Sequence, residues 1–232
     1  MEGLFERVDD FDQDVFRNIV SLRTSQDLFD DLAGGDADLS QWAAEAEMRV
    51  KQNLPAGIVQ RGFHYTTAIG YPFEVEPFLY SRYGDGSFGV WYGSLTLETT
   101  LYETVHHMFQ AELGVEGITE KIIRERAVYM VHCRALLVDL RGKEKTFPAL
   151  VEEHYEFTQQ LGKRLSREGQ PGLLAPSARC QGANAVIFNP EVLGQPRNYC
   201  YLTYILDPVT RTTVVQREPG KDLLTIAYQG KR

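Results

Sequence analysis

The chain has 232 residues, of which 43% are hydrophobic and 24% charged, and its formal net charge is −8. This length suits one globular domain, or one domain with an extension, that can bury a core without disulfides. The acidic balance argues against a nucleic-acid surface as the main function. The sequence has no run of about 18 apolar residues, so no membrane span is predicted.

The N-terminus and the cysteines indicate a compartment. Residues 1–14 are acidic and lack the basic and apolar regions of a signal peptide. Cys133, Cys180 and Cys200 are odd in number and lack the spacing of a metal site. We therefore expect reduced thiols in a cytoplasmic protein.

Residues 1–54 are predicted to form an N-terminal helical extension, followed by a domain over residues 55–232. Apolar residues recur at helical spacing in the first predicted helix, namely Phe11, Val15, Phe16, Ile19 and Leu22. A glycine-containing break follows at residues 33–36, and a second helix is predicted over residues 39–53. The extension could be a lid, a dimer arm, a partner-binding arm or a helical layer packed on the domain. The sequence is also compatible with a homodimer.

From residue 58 onward, the pattern is one of strands interrupted by two or three helices. Strands are predicted at residues 58–65, 88–92, 128–140, 173–179, 185–188, 201–206, 210–216 and 223–228. One helix follows Thr96 and another spans residues 147–167. Because strands and helices do not alternate regularly, the predicted fold class is α+β, with a mixed, mainly antiparallel β core and flanking helices.

The segment from residue 81 to residue 110 indicates a site. A glycine-containing turn follows Arg82, a short strand ends at Tyr92, and a helix capped by Thr96 carries Glu103. Arg82, Tyr92 and Glu103 thus come from a loop, a strand and a helix that follow one another closely, as in a small cleft. Glu103 lies away from the apolar stripe of its helix, so periodicity alone favours a solvated helix face.

Other kinds of site find less support. Glu103 and His106 share a helical face, but there is no second Glu-x-x-His and no His-Glu-x-x-His, so no metal site is predicted. There is no Gly-x-Ser-x-Gly elbow and no Walker loop. Gly84, Gly86 and Gly89 have the spacing of a dinucleotide fingerprint, but they precede a strand instead of opening a helix.

Several short motifs match one known family in their order. The matching segments are residues 60–63, 81–83, 92–94 with 99–103, and 173–179 with 182–188. With these motifs the chain resembles the RES-domain proteins, the toxin half of many bacterial toxin–antitoxin pairs. The match covers about residues 56–206.

The resemblance implies a fold related to ADP-ribosyltransferase toxins and an enzyme that consumes NAD as a substrate, with no cofactor. Such an enzyme would cleave the nicotinamide–ribose bond and pass ADP-ribose to inorganic phosphate or water, as an NAD phosphorylase or glycohydrolase. It also implies a cognate Xre-like antitoxin as protein partner. Two alternatives are an ADP-ribosyltransferase that modifies a protein, and an inactive module that binds NAD or another nucleotide.

The resemblance also implies roles for individual residues. It makes Arg82, Tyr92 and Glu103 catalytic, and it places four residues in substrate binding, namely Arg61, Tyr65, Ser177 and Asn184. The two arginines would bind the diphosphate or an acceptor phosphate. Tyr92 would pack against nicotinamide or ribose, Glu103 would contact the ribose, and Ser177 would line the same pocket.

Overall fold

The computed structural model describes residues 3–21, 66–74, 78–112 and 117–228. Eight strands form one sheet: β1 (Val8–Val20), β2 (Trp91–Ser94), β3 (Ile122–Asp139), β4 (Gly172–Pro176), β5 (Ala183–Ile187), β6 (Leu193–Asp207), β7 (Thr212–Glu218) and β8 (Lys221–Ala227). The described residues also form two α-helices, α1 (Leu97–Glu112) and α2 (Glu156–Arg167). Short helical turns lie at Thr66–Gly70, Tyr71–Phe73, Pro148–Leu150 and Pro190–Val192. No helix in these ranges is long and apolar enough to cross a membrane.

The sheet is partly closed on itself. Its strand order is β1-β2-β5-β4-β3-β6-β7-β8, and β1 also pairs with β3. The first five strands in this order therefore form a ring, from which β6, β7 and β8 extend. Among the described strands, only β3 and β4 pair in parallel. The predicted α+β class with a mainly antiparallel sheet is confirmed.

The core lies in three clusters that follow from the alternation of apolar side chains. Inside the ring, Phe11, Val15 and Trp91 are fully buried. On β6, every second residue from Cys200 to Leu206 is buried, and this face packs against α1. A third cluster joins α2 to β4 and β5. Both helices are thus fixed against the sheet.

The first predicted helix is wrong, because residues 8–20 form strand β1. Phe11, Val15 and Ile19 are four residues apart, and this spacing fits one side of a strand as well as one face of a helix. Pairing with β3 along its whole length, from Val8 opposite Val138 to Val20 opposite Arg126, stabilises the strand. The second predicted helix and the boundary at residue 54 lie outside the described residues.

The helix predicted over residues 147–167 begins only at Glu156. Before it, Pro148 opens a separate short turn, and a loop follows whose carbonyl groups bind Arg82. The hairpin predicted around Asp207 is confirmed, since the Asp207 carboxylate accepts hydrogen bonds from the backbone of Val209 and Thr210 between β6 and β7. Strand β8 confirms the predicted edge strand. The strand predicted at residues 58–65 lies outside the described residues.

Candidate active site

Helix α1 carries Glu103 to the wall of a cavity. The Thr96 hydroxyl accepts a hydrogen bond from the backbone N–H of Thr99, at 3.1 Å, which confirms the predicted cap. Leu101 and Val105 are buried against β6. With this face fixed on the sheet, the next face of the helix lines a cavity of about 770 Å³, and Glu103 belongs to that lining.

Glu103 is held in place by two hydrogen bonds to one of its oxygens. The Ser177 hydroxyl donates to Oε1 at 2.7 Å, and the Asn184 amide donates to the same atom at 2.8 Å. Within the described ranges no donor reaches Oε2. Glu103 is half-buried, and its two hydrogen bonds fix the orientation of its carboxylate. It does not lie on an open, solvated helix face.

The orientation of Asn184 is itself fixed by the sheet. Ser94 of β2 and Asn184 of β5 are directly opposite each other. The buried Ser94 hydroxyl donates to Asn184 Oδ1 at 2.7 Å, so the amide nitrogen points toward Glu103. The result is a chain of hydrogen bonds from the sheet to the carboxylate, in which each donor and acceptor is assigned by its neighbours.

Ser177 lies behind the carboxylate and is buried at the end of β4. Its hydroxyl oxygen accepts hydrogen bonds from the backbone N–H groups of Arg179 at 3.1 Å and Cys180 at 3.3 Å. Its proton is therefore directed to Glu103. Ser177 positions the carboxylate, whereas its neighbours Ala178 and Arg179 form the cavity wall.

Tyr92 lines the cavity and connects β2 to the loop that carries Arg82. Its hydroxyl oxygen accepts from the backbone N–H of Tyr83 at 2.9 Å and shares a second hydrogen bond with the Ser81 hydroxyl, also at 2.9 Å. Burial raises the pKa of Tyr92 to about 12. The phenol is therefore neutral at physiological pH.

Arg82 lies on the same cavity, held by the loop before α2. Its guanidinium donates to the carbonyl of Glu152 at 2.5 Å and, at 3.4 Å, to that of Leu150. It also stacks over Tyr155, 4.6 Å from the ring centroid. The loop that carries Arg82 and Tyr83 can approach α2 closely because residue 162 of that helix is glycine. A Cβ atom at this position would overlap the Tyr83 carbonyl.

The structure thus brings together Arg82, Tyr92, Glu103 and Asn184 on one cavity, with Ser177 behind Glu103. Arg61 and Tyr65, the two remaining predicted residues, lie outside the described residues. No group of histidine, cysteine and acidic side chains that could hold a metal ion occurs in the part of the chain that the structure describes.

Three further arginines line the cavity and were not predicted as site residues: Arg17, Arg126 and Arg179. Arg17 was missed because β1 was predicted as a helix of a separate extension. The sequence did offer one indication, because Val15, Arg17 and Ile19 would share one side of a strand. A cation on an otherwise apolar side needs a specific contact. Arg126 lies on β3, whose start was predicted at residue 128.

The cavity has a positive lining although the chain is acidic. Four arginines and two glutamates, Glu103 and Glu153, line it. His106 adds no charge near neutral pH, because burial, together with the charge of Arg179, lowers its pKa to about 4. The cavity is suited to an anionic ligand, and its volume lies in the range of small-molecule and cofactor sites.

Comparison with known proteins identifies the family. The family model of the RES domain matches residues 54–207. The chain belongs to the RES-domain family. No curated protein matches it. Among solved structures, a chain of the M. tuberculosis MbcT–MbcA toxin–antitoxin complex is similar, with 12% sequence identity and a TM-score of 0.45 over 90% of this chain and 94% of that one.

Proposed function

We propose that this RES-domain protein is a toxin that cleaves the nicotinamide–ribose bond of NAD and passes ADP-ribose to phosphate or water. The observation that carries the proposal is Glu103, a carboxylate oriented by Ser177 and Asn184 on the wall of an arginine-lined cavity. Family membership supports the same reaction, because RES-domain toxins act on NAD.

The residue chemistry fits this bond cleavage. Nicotinamide leaves as a neutral molecule, because the electron pair of the broken bond neutralises its pyridinium charge, and no general acid is needed. Positive charge develops on the ribose, and a fixed carboxylate such as Glu103 stabilises it electrostatically. Since two hydrogen bonds hold Glu103 before the reaction, little reorganisation is required when that charge forms.

The other residues bind and orient the substrate. Guanidinium groups suit the diphosphate of NAD because their planar fork donates paired hydrogen bonds, and Arg82 offers one at the cavity. The neutral Tyr92 presents its ring to the cavity while its hydroxyl is engaged with the loop at Ser81 and Tyr83. In this proposal Tyr92 packs against nicotinamide or ribose.

The proposal also includes a protein partner. An Xre-like antitoxin is the cognate partner of the toxin in the cytoplasm.

Incubation of the purified protein with NAD tests the proposal. Nicotinamide release that requires inorganic phosphate, with formation of an ADP-ribose phosphate ester, identifies a phosphorylase. Release that yields free ADP-ribose without phosphate identifies a glycohydrolase. Absence of nicotinamide release from folded protein under both conditions contradicts the proposal, and so does an unchanged NAD pool in bacterial cells that produce the chain alone.

A further inference from the structure

Arg17 and Arg126 form a basic pair on the wall of the cavity that β1 and β3 provide. Arg17 donates to the carbonyl of Tyr92 at 2.8 Å and lies 5.5 Å from the Trp91 ring centroid. Arg126 donates to both the side-chain oxygen and the carbonyl of Asn18, at 2.8 and 3.0 Å. The contacts of both guanidinium groups are therefore neutral.

No carboxylate among the described residues forms an ion pair with either arginine. Burial, together with the charge of Arg126, lowers the pKa of Arg17 to about 10. The Arg17 Nε atom is buried and has no hydrogen-bond partner in the described ranges. Two half-buried cations that act on each other without a counter-charge are costly, and an anion bound by both would reduce that cost.

A chain of hydrogen bonds connects Arg126 to the helix that carries Glu103. Asn18, which holds Arg126, donates to the hydroxyl of Thr104 at 3.2 Å, and Thr104 directly follows Glu103 on α1. Arg82 is held on a different wall, by the carbonyl groups of the loop before α2. Guanidinium donors therefore come to the cavity from different elements, and a chain of hydrogen bonds connects the β1–β3 pair to the helix that carries Glu103.

We propose that Arg17 and Arg126 form an oxyanion subsite that binds inorganic phosphate as the acceptor beside Glu103. This inference rests on the proposed function. A phosphate oxygen forms a bond to the anomeric carbon of the ribose while the bond from that carbon to the nicotinamide nitrogen breaks, and the electron pair stays on the nitrogen. The acceptor is hydrogen phosphate, so the product phosphate ester keeps its proton or releases it to solvent.

The same chemistry could serve a phosphate group from another source, namely the diphosphate of NAD itself. The acceptor is favoured because Arg82, which a different loop holds on the same cavity, is available for the diphosphate. The two sources predict different variant kinetics. Loss of an acceptor subsite raises the KM for phosphate, whereas loss of a diphosphate contact raises the KM for NAD.

The test compares wild type with Arg126→Gln and with Arg126→Lys, which keeps the charge but not the planar fork. The matched control is Arg134→Gln, on the same strand but 78% exposed and outside the cavity lining. Inorganic phosphate is titrated calorimetrically without NAD, in chloride buffer of constant ionic strength. Rates are then measured against phosphate and against NAD, and ADP-ribose and its phosphate ester are quantified.

We expect Arg126→Gln to raise the phosphate Kd and KM at least tenfold, with the KM for NAD within about twofold and more free ADP-ribose among the products. Arg126→Lys should show a smaller loss, and it provides the decisive comparison if Arg126→Gln does not fold. Arg134→Gln should match wild type.

Three results overturn the subsite: no phosphate binding by wild type, unchanged phosphate binding in both Arg126 variants, or a change confined to the KM for NAD. If wild type binds phosphate through Arg126 but releases no nicotinamide from NAD, the subsite stands and the proposed function fails.

Discussion

The substitution Asn184→Asp tests whether the hydrogen bond to Glu103 is needed for activity. It preserves size and replaces the donor nitrogen, 2.8 Å from Glu103 Oε1, by a carboxylate oxygen. Two unit charges at this distance repel by about 6 kcal/mol at an effective dielectric constant of about 20. This is an upper bound because the side chains can move apart. The pair will therefore share one proton at neutral pH, as closely spaced carboxylates do.

The shared proton removes the charge that stabilises the ribosyl cation. We expect kcat for NAD cleavage at pH 7 to fall at least tenfold, and to recover in part as the pH rises. The activity should recover at higher pH because the Glu103 carboxylate must be ionised to act. A raised pKa of the carboxyl pair moves the acidic limb of the kcat profile to higher pH. A shift of at least about one pH unit is expected from a repulsion of this size.

The assay is nicotinamide release measured from pH 5 to pH 9, with thermal unfolding as a check of the fold. The control is Asn189→Asp, an exposed position whose side-chain oxygen accepts from the backbone of Glu191, as an aspartate can also do. A pH profile of Asn184→Asp that superimposes on that of wild type refutes the role given to this hydrogen bond.

Three other substitutions test separate parts of the structure. Ser177→Ala removes a donor to Glu103 and should lower kcat about tenfold or more, since such hydrogen bonds contribute about 1.5–3 kcal/mol, and Ser177→Thr should restore part of it. Gly162→Ala should lower the free energy of unfolding by about 1–3 kcal/mol in urea, because its Cβ would overlap the Tyr83 carbonyl. Asp139→Asn should lose less stability than wild type on acidification from about pH 4 to pH 2.

The sign of the Asp139 effect follows from its contacts. Burial alone would raise its pKa, but hydrogen bonds from Arg141 and Arg7 outweigh burial and lower the pKa to about 2. A carboxylate with a lowered pKa stabilises the fold above the pKa of the unfolded chain, and this contribution is lost as the pH falls through about 2. It is worth about 2 kcal/mol. Equal acid sensitivity of Asp139→Asn and wild type would contradict this assignment.

The other two predictions have equally direct contradictions. If Ser177→Thr is as slow as Ser177→Ala, the hydroxyl is not what matters at that position. For Gly162→Ala the matched control is Gly194→Ala, where a Cβ would meet no atom within 4 Å. If both glycine variants unfold at the same urea concentration, the close approach at Tyr83 does not constrain the loop.

The part of the site that follows from local sequence could be predicted. The Thr96 cap and the apolar stripe through Leu101 and Val105 define α1, and with it the face that carries Glu103. Periodicity could not say whether that face meets water or a cavity, because the answer depends on β5 and on the end of β4. Asn184 and Ser177 come from these strands, about eighty residues further along the chain.

The part that depends on long-range pairing could not be predicted in the same way. Residues 8–20 have a pattern compatible with both helix and strand, and only pairing with β3 decides between them. The consequence reaches the site, because Arg17 enters the cavity from this strand. The loop before α2 is a similar case, since its carbonyl contacts to Arg82 connect positions about seventy residues apart.

The most direct test of the central proposal is nicotinamide release from NAD by wild type and by Glu103→Gln. The substitution keeps the shape of the side chain and removes its charge. Because that charge acts mainly in the transition state, kcat should fall about 10²–10³-fold while the KM for NAD changes little. Release of nicotinamide by folded Glu103→Gln at the wild-type rate would contradict the proposal that this carboxylate stabilises the ribosyl cation.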